Sequence, residues 1–332
     1  MRKINVLLIG YGNTGRLIAE YVEQHGGKIC GIVDRDCRLW EEKAHGVTVC
    51  GDIGMALGRS RAKVDIAVIS TGSSLAAISD AARECIRRGI NTITTAEEAI
   101  FPDVTAPALT SSLDTLAKLN GCTFSATGFQ DCFWVNSVAA FAAACSRIDR
   151  IRGTLRYNVD EYGPSLAADH GVGLTVREFE SRFNGDFVRS YVWHSNALLA
   201  EKLGWGVASQ HQRSTPYVYH EALYSAALGR KVERGLCVGM STVVTTVTKF
   251  GGVIETECTG KIYVAGDKDH CAWTLTGKPN LSFSVDSPKT PEHTAASVVN
   301  RIPQVIRAEA GYITIDKLPP AEYLTFPISL YI

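Results

Sequence analysis

The chain has 332 residues, 45% of them hydrophobic, with Lys+Arg and Asp+Glu balanced at 34 each. That is apolar material for one large core or two medium ones. The charge balance leaves no basic stripe to neutralise phosphates, which argues against a nucleic-acid partner. No apolar run reaches the ~18 residues that a membrane span needs. The run that follows Arg2 and Lys3 breaks at Gly10 without a small-residue cleavage site, so the expectation is a cytoplasmic protein. The ten cysteines include no CxxC pair and no Cys/His cluster at metal-ligand spacing. They read as buried or incidental thiols, with no metal site and no disulfide framework.

In chain order, INVLLIG is a continuous apolar run of the kind buried on both faces of a parallel sheet, and a helix from Thr14 to about His25 follows it. KICGIVD is a second strand, and VDIAVIST, ending at Thr71, a fourth. Ser73 or Ser74 then caps a helix whose Leu75, Ile78, Ala82 and Cys85 recur at helical spacing and which closes at Gly89. NTITT, a helix over ALTSSLDTLAKLNG and a strand at CTFSATG complete the alternation that marks a parallel α/β sheet. Helices are then expected at about 136–147, 174–183 and 189–203. After them STVVTTVTKF and GVIETECTGKIYVAG alternate as antiparallel strands joined at Gly251–Gly252, with HCAWTLTG and NLSFSVD as two more. A last helix starts near Thr294, and Pro303 predicts a kink or break in it. The expected organisation is α/β: a doubly wound Rossmann domain over 1–135, an α+β substrate and dimerisation domain with a mainly antiparallel sheet over 136–290, and a C-terminal helix and tail over 291–332 that return to the first domain.

GYGNTG follows the first strand and opens the first helix, the context in which a Gly-rich hexapeptide binds a dinucleotide. Gly10 permits the tight turn, Gly12 the approach of a pyrophosphate, and Gly15 close helix–strand packing, with Asn13 and Thr14 at the helix N-terminus that meets the negative charge. Asp34, ending the second strand, is placed for the adenosine ribose hydroxyls and favours NAD. Arg35 beside it suits a 2′-phosphate, so the cofactor is read as NAD(P), with NAD preferred and NADP tolerated. Thr71 and Gly72 fall where the nicotinamide half lies, or serve as plain turn residues.

TTAEEAIFP leaves the carboxyl end of a Rossmann strand and holds adjacent carboxylates, Glu97 and Glu98, in an apolar run. One suits a helix N-terminus; the other reads as a functional group over the nicotinamide. Oxidation of an alcohol calls for a Lys, His or Tyr that donates to the developing alkoxide. A carboxylate favours an ammonium or iminium, and the absence of a lysine here argues against sugar or polyol substrates. Downstream aromatics, including Phe129, Phe133, Trp134, Tyr157, Tyr162 and Trp193, divide between core and pocket.

GYGNTG, the STG after the fourth strand, TTAEEAIFP and the tail TAASVVNRIPQVIRAEAG resemble 2,4-diaminopentanoate dehydrogenase and the related native amine dehydrogenases, similar in their N-terminal half to dihydrodipicolinate reductase. The resemblance implies an NAD(P)-linked homodimer that interconverts an amine with a carbonyl compound and ammonia, by hydride transfer to an iminium. It also implies Glu97 as the catalytic carboxylate, with Glu98 as the alternative, and a substrate pocket of Phe129, Trp134, Tyr157, Tyr162 and Thr294. The stretch YNVDEYGPSLAADHGVG lacks the His-His and Lys motif of dihydrodipicolinate reductase, which argues against a dicarboxylate. Asp160 and Glu161 stand as candidates for a distal ammonium or, more simply, as solvated or hinge residues. The competing functions are a carbonyl or imine reductase that does not use free ammonia and a non-catalytic NAD(P)-binding sensor.

Overall fold

The computed structural model describes residues 2–183 and 189–332, and the chain divides into two compact units. The first comprises Met1–Asn136 with Thr290–Ile332, the second Ser137–Lys289.

In the first unit, strands β1 (Asn5–Ile9), β2 (Lys28–Val33), β3 (Lys43–Ala44), β4 (Val47–Cys50), β5 (Ile66–Ile69), β6 (Asn91–Thr94) and β7 (Thr123–Ala126), with the late strand β16 (Gly311–Tyr312), form one sheet. Its order is β16-β7-β6-β5-β1-β2-β4-β3. Every pairing is parallel except β3 with β4. The chain builds outward from β1 in one direction and then restarts at β5 on its other side. The crevice at the carboxyl ends of β1 and β5 is therefore the topological switch point, where open α/β sheets bind ligands. Burial explains the apolar strands: Val6, Leu7, Leu8, Ile66, Ala67 and Val68 are all fully covered.

Helices α1 (Asn13–Gln24), α2 (Ile53–Arg59), α3 (Leu75–Arg87) and α4 (Pro107–Leu119) connect these strands. The α1 residues Gly15, Ile18, Ala19 and Val22 are buried at the spacing of one helical face. In α3 the capping residue is Ser74, which accepts from the Ala77 amide at 3.1 Å, and Gly89 at φ 68° closes the helix.

Helix α9 (Thr290–Arg307) corrects the expectation for the tail. It begins four residues before Thr294, and it runs on through Pro303 without a break. Proline there removes one hydrogen bond and crowds the preceding turn, at a cost of about 3 kcal/mol. Burial of Ala295, Val298, Val299, Ile302 and Val305 along the same helix outweighs that cost.

The second unit holds α5 (Ser137–Ala142), α6 (Pro164–Asp169), α7 (Val176–Phe183) and α8 (Tyr191–Lys202). The helix expected over 136–147 is shorter than predicted, because strand β8 (Arg147–Asn158) begins where it was to end. With β9 (Val207–Val218), β12 (Cys237–Thr248), β13 (Val253–Lys261), β14 (His270–Lys278) and β15 (Leu281–Asp286), β8 forms a sheet of order β15-β14-β8-β13-β12-β9. Only the β8–β13 pair in it is parallel. A separate hairpin pairs β10 (Leu223–Ser225) with β11 (Arg230–Val232). Helix α8 lies on the sheet face that buries Val244, Ile254 and Thr256, and Asn196 on α8 bonds both the Val244 carbonyl and Thr256. No helix among the described residues is long and apolar enough to cross a membrane.

Candidate active site

The Gly-rich turn is built from steric limits. Gly10 sits at φ 97°, and a Cβ on it would lie 2.3 Å from the Ser70 carbonyl oxygen. A Cβ on Gly15 would lie 2.0 Å from the Gly10 carbonyl oxygen, so both positions admit only glycine. Gly12 is the opposite case: a Cβ there would meet nothing within 4 Å, because the backbone faces open space. Gly12 is also the N-cap of α1, which has no side-chain cap and no acidic residue in its first turn. The first amides of that helix, at Asn13 and Thr14, have no intrahelical acceptor and carry partial positive charge, as a pyrophosphate site requires.

Asp34 lies beside this turn. Its carboxylate accepts from the Tyr11 amide at 2.6 Å and the Asp36 amide at 2.8 Å, so both oxygens are pinned to backbone. The Trp40 indole donates to the Asp34 carbonyl at 2.8 Å. Arg35 is exposed, and Arg38 is bound to Asp36 by a bidentate pair. Thr71 and Gly72 follow β5 at the switch point, with the Thr71 methyl against Gly10.

At the end of β6 the two glutamates have different fates. Glu98 turns back to α3, where its Oε2 accepts from the Leu75 amide at 2.7 Å, while its own amide donates to the Ser73 carbonyl at 3.0 Å. It is the helix-terminus carboxylate of the pair. Glu97 precedes the short 3-10 turn Glu98–Ile100 with αR backbone angles, its side chain takes no part in capping that turn, and it is half-buried.

Beyond β7 the chain passes through Gly128 and Phe129 into a π-helical turn, Asp131–Asn136. Asp131 anchors it: the fully buried carboxylate receives Arg301 Nε at 2.6 Å, Arg301 Nη2 at 2.7 Å and the Thr127 hydroxyl at 2.7 Å. Arg301, on α9, also donates to Gln304 and to the Pro319 carbonyl. This buried network fixes a turn whose side chains include Phe133 and Trp134. Phe129 stacks on Phe133 with centroids 4.4 Å apart, and His293 of α9 lies 4.9 Å from Phe133. A Cβ on Gly128 would come within 3.7 Å of the Thr294 methyl. Phe129, Phe133, His293 and Thr294 thus gather just beyond β7, and Trp134 is buried on the same turn.

Tyr157 and Tyr162 belong to the second unit. The chain crosses between units at Asn136–Ser137 and Lys289–Thr290. Tyr157 ends β8, Tyr162 follows the next turn, and their rings meet edge to face at 5.5 Å. The Tyr157 hydroxyl is 2.5 Å from His170 Nε2. Asp160 is a structural residue: its carboxylate accepts from the Ser225 hydroxyl at 2.6 Å and from the Ala226 and Ala227 amides at 3.2 Å, which ties down the β10–β11 hairpin. Trp193 and His194 are core residues of α8. All ten cysteines are free thiols, seven of them buried, and burial raises Cys85 and Cys271 to about 12. Sequence reasoning missed His293, whose ring partners Phe129 and Phe133 lie far away in the chain, and His170, whose partner Tyr157 stands on the preceding strand β8.

A Rossmann turn at the switch point, an acidic residue pinned beside it and a half-buried carboxylate after β6 define a dinucleotide-binding oxidoreductase. The 2,4-diaminopentanoate dehydrogenase C-terminal domain family matches residues 134–327. The 2,4-diaminopentanoate dehydrogenase of Acetoanaerobium sticklandii is 25% identical over 339 residues, covering 96% of this chain and 94% of the relative. The structure of an amine dehydrogenase from Mycobacterium smegmatis is 33% identical, with a TM-score of 0.92 and 98% of each chain covered. A myo-inositol 2-dehydrogenase from Lactobacillus plantarum, 12% identical with a TM-score of 0.59 over 95% of this chain and 93% of the other, shares the fold alone. The chain belongs to the 2,4-diaminopentanoate dehydrogenase family.

Proposed function

We propose that this chain is an NAD(P)-dependent amine dehydrogenase, an oxidoreductase acting on CH–NH2 groups, which interconverts small apolar ketones or aldehydes plus ammonia with the corresponding amines. The observation that carries the site assignment is the division of the glutamate pair. Glu98 is spent on the N-terminus of α3, so Glu97 is the carboxylate at the end of β6 assigned to the reaction. The first unit is the cofactor domain, completed by residues 290–332, and the second is the substrate and dimerisation domain.

Gly10, Gly12, Asn13, Thr14, Gly15, Asp34, Arg35, Thr71 and Gly72 hold the dinucleotide. The open backbone at Gly12 fits a pyrophosphate, since a side chain there would fill the space. Asp34 and Asp36 beside the ribose position favour NAD over its 2′-phosphorylated form, because Arg38 is already paired to Asp36. When bound, the nicotinamide supplies or takes up the hydride. Glu97, ionised, stabilises the iminium and relays protons while the carbinolamine forms and loses water. Phe129, Trp134, Tyr157, Tyr162 and Thr294 hold the apolar substituents and exclude water. The ten free thiols suit the reducing cytoplasm. The face of the second sheet opposite α8, which carries Val243, Thr245, Val247 and Glu255, is the surface for a homodimer.

The test is oxidation of NADH and NADPH with a panel of small aldehydes and ketones, each with and without ammonium. The expected result is turnover that requires ammonium, with NADH preferred. Turnover independent of ammonium would make the protein a carbonyl reductase, and tight cofactor binding without any turnover would make it a sensor.

A further inference from the structure

Trp40 has a fixed place beyond the carboxyl ends of two strands, and the dinucleotide site described above makes no use of its ring. Asp34 is the first residue after β2 and Gly51 the first after β4. The Asp34 amide donates to the Cys50 carbonyl at 3.0 Å, which holds the two strand exits side by side. Trp40 spans both. Its indole N–H donates to the Asp34 carbonyl at 2.8 Å. Its six-membered ring rests on Gly51, where a Cβ would come within 2.6 Å of Cζ2. A side chain at position 51 would displace the indole.

The backbone around Trp40 is held just as firmly. The Trp40 amide donates to the Cys37 carbonyl at 3.2 Å, the Glu41 amide to the Val49 carbonyl at 3.1 Å, and the Val49 amide to the Glu42 carbonyl at 2.9 Å. Glu41 takes φ 66°, a left-handed conformation that is unfavourable for a residue with a Cβ. The ring placed by these bonds is not part of the core, for Trp40 is 46% exposed. Among the described residues no other ring and no cation stacks on it. A rigid, open aromatic surface at the ligand-binding end of the sheet suits a planar group.

We propose that Trp40 is the platform on which the adenine base of the dinucleotide stacks. Asp34 is assigned to the adenosine ribose hydroxyls, and adenine is bonded directly to that ribose, so the base lies against the immediate neighbours of Asp34. Trp40 is such a neighbour, tied to Asp34 by its own hydrogen bond. Arg38, the other flat group nearby, is engaged by Asp36. The indole N–H is committed to the Asp34 carbonyl, which leaves Trp40 to meet the base through its face. Stacking reads no base edge, and NADH and NADPH carry the same base, so Trp40 serves both cofactors alike. The platform rests on the ribose assignment of Asp34.

Binding measurements on the purified protein test it, with ADP-ribose, NADH and NADPH as probes. Trp40→Ala is expected to raise all three dissociation constants about fivefold or more, by a common factor, as the loss of one stacked base implies. Trp40→Phe keeps a ring and is expected to recover most of the affinity. Phenylalanine also lacks the indole N–H, so a residue that only anchored the Asp34 loop would fail equally in both variants and would shift the NADH-to-NADPH ratio. That pattern overturns the inference, as does unchanged affinity in Trp40→Ala. In protein labelled with fluorotryptophan, the fluorine NMR resonance missing from Trp40→Phe is expected to move when ADP-ribose is added to the wild type; a resonance that stays in place overturns the inference as well. Asp34→Ala separates the two assignments. If it binds ADP-ribose as the wild type does, the ribose role of Asp34 fails and takes the platform with it. If it binds weakly while Trp40→Ala binds normally, the platform alone fails.

Discussion

The two units build their functional positions in different ways. In the first, the cofactor turn is backbone: Gly10, Gly12 and Gly15 lie within six residues, and each glycine is explained by a nearby backbone carbonyl or by open space. In the second, the candidate groups are side chains joined across the fold. Tyr157 on β8, His170 after α6 and Gly260 on β13 meet only because β8 and β13 pair in parallel, with Tyr157 opposite Gly260 in register. Backbone sites are written locally and survive many changes elsewhere. Side-chain sites depend on register, and a defect in any of three distant segments unmakes them.

That contrast orders the tests by size. The largest effect is expected at the locally encoded carboxylate: Glu97→Gln should lower turnover by about 10²–10⁴-fold, the range of general acid–base catalysis, with NADH affinity kept. A variant that bound cofactor and retained most of its turnover would remove Glu97 from the reaction.

The next largest lies in a buried long-range pair of the first unit. Arg301→Met leaves Asp131 as an uncompensated buried charge and should cost about 3–5 kcal/mol in denaturant unfolding. An unchanged midpoint would show that the π-helical turn does not depend on this pair. A smaller loss, about 1 kcal/mol, is expected for Glu98→Ala, which removes the acceptor of the Leu75 amide and should leave ammonium-dependent turnover within a few fold. Loss of activity with unchanged stability would reverse the roles of the two glutamates.

The smallest effect is in pH. Burial lowers the pKa of His170 in the second unit, against the weaker opposing influence of its hydrogen bond to the Leu166 carbonyl and of Asp169, and that of His293 in the first, against Glu292. A lowered folded pKa means that the unfolded chain binds more protons just below pH 6.5, so stability is full above that value and falls as the medium is acidified. The slope is at most about 1.4 kcal/mol per pH unit for each group. Unfolding midpoints between pH 7 and 5 should show the fall, and His170→Phe should make it shallower. A slope unaltered by that substitution would mean that His170 is not held neutral in the native protein.

Local chemistry was readable from the chain. The apolar runs of β1 and β5, the spacing of Leu75, Ile78, Ala82 and Cys85, the Ser74 cap and the Gly251–Gly252 turn all follow from neighbours in sequence, so the Rossmann sheet and the strands that flank that turn were legible. Pro303 does not break α9, because the burial of the rest of the helix outweighs its local penalty. The extent of β8 was missed because its exposed arginines, Arg150, Arg152 and Arg156, hide a strand whose partners lie about a hundred residues on.

The sequence by itself therefore determined the dinucleotide turn, the parallel sheet around it and the adjacency of two glutamates, since each rests on φ, hydrophobic period or position within a few residues. Only the tertiary structure decided which glutamate caps α3, that Asp131 and Arg301 pair in the core, that Asp160 serves a hairpin, and that Tyr157 meets His170. These outcomes depend on which polar groups arrive together once water is excluded, and burial makes such pairings too costly to leave unmade.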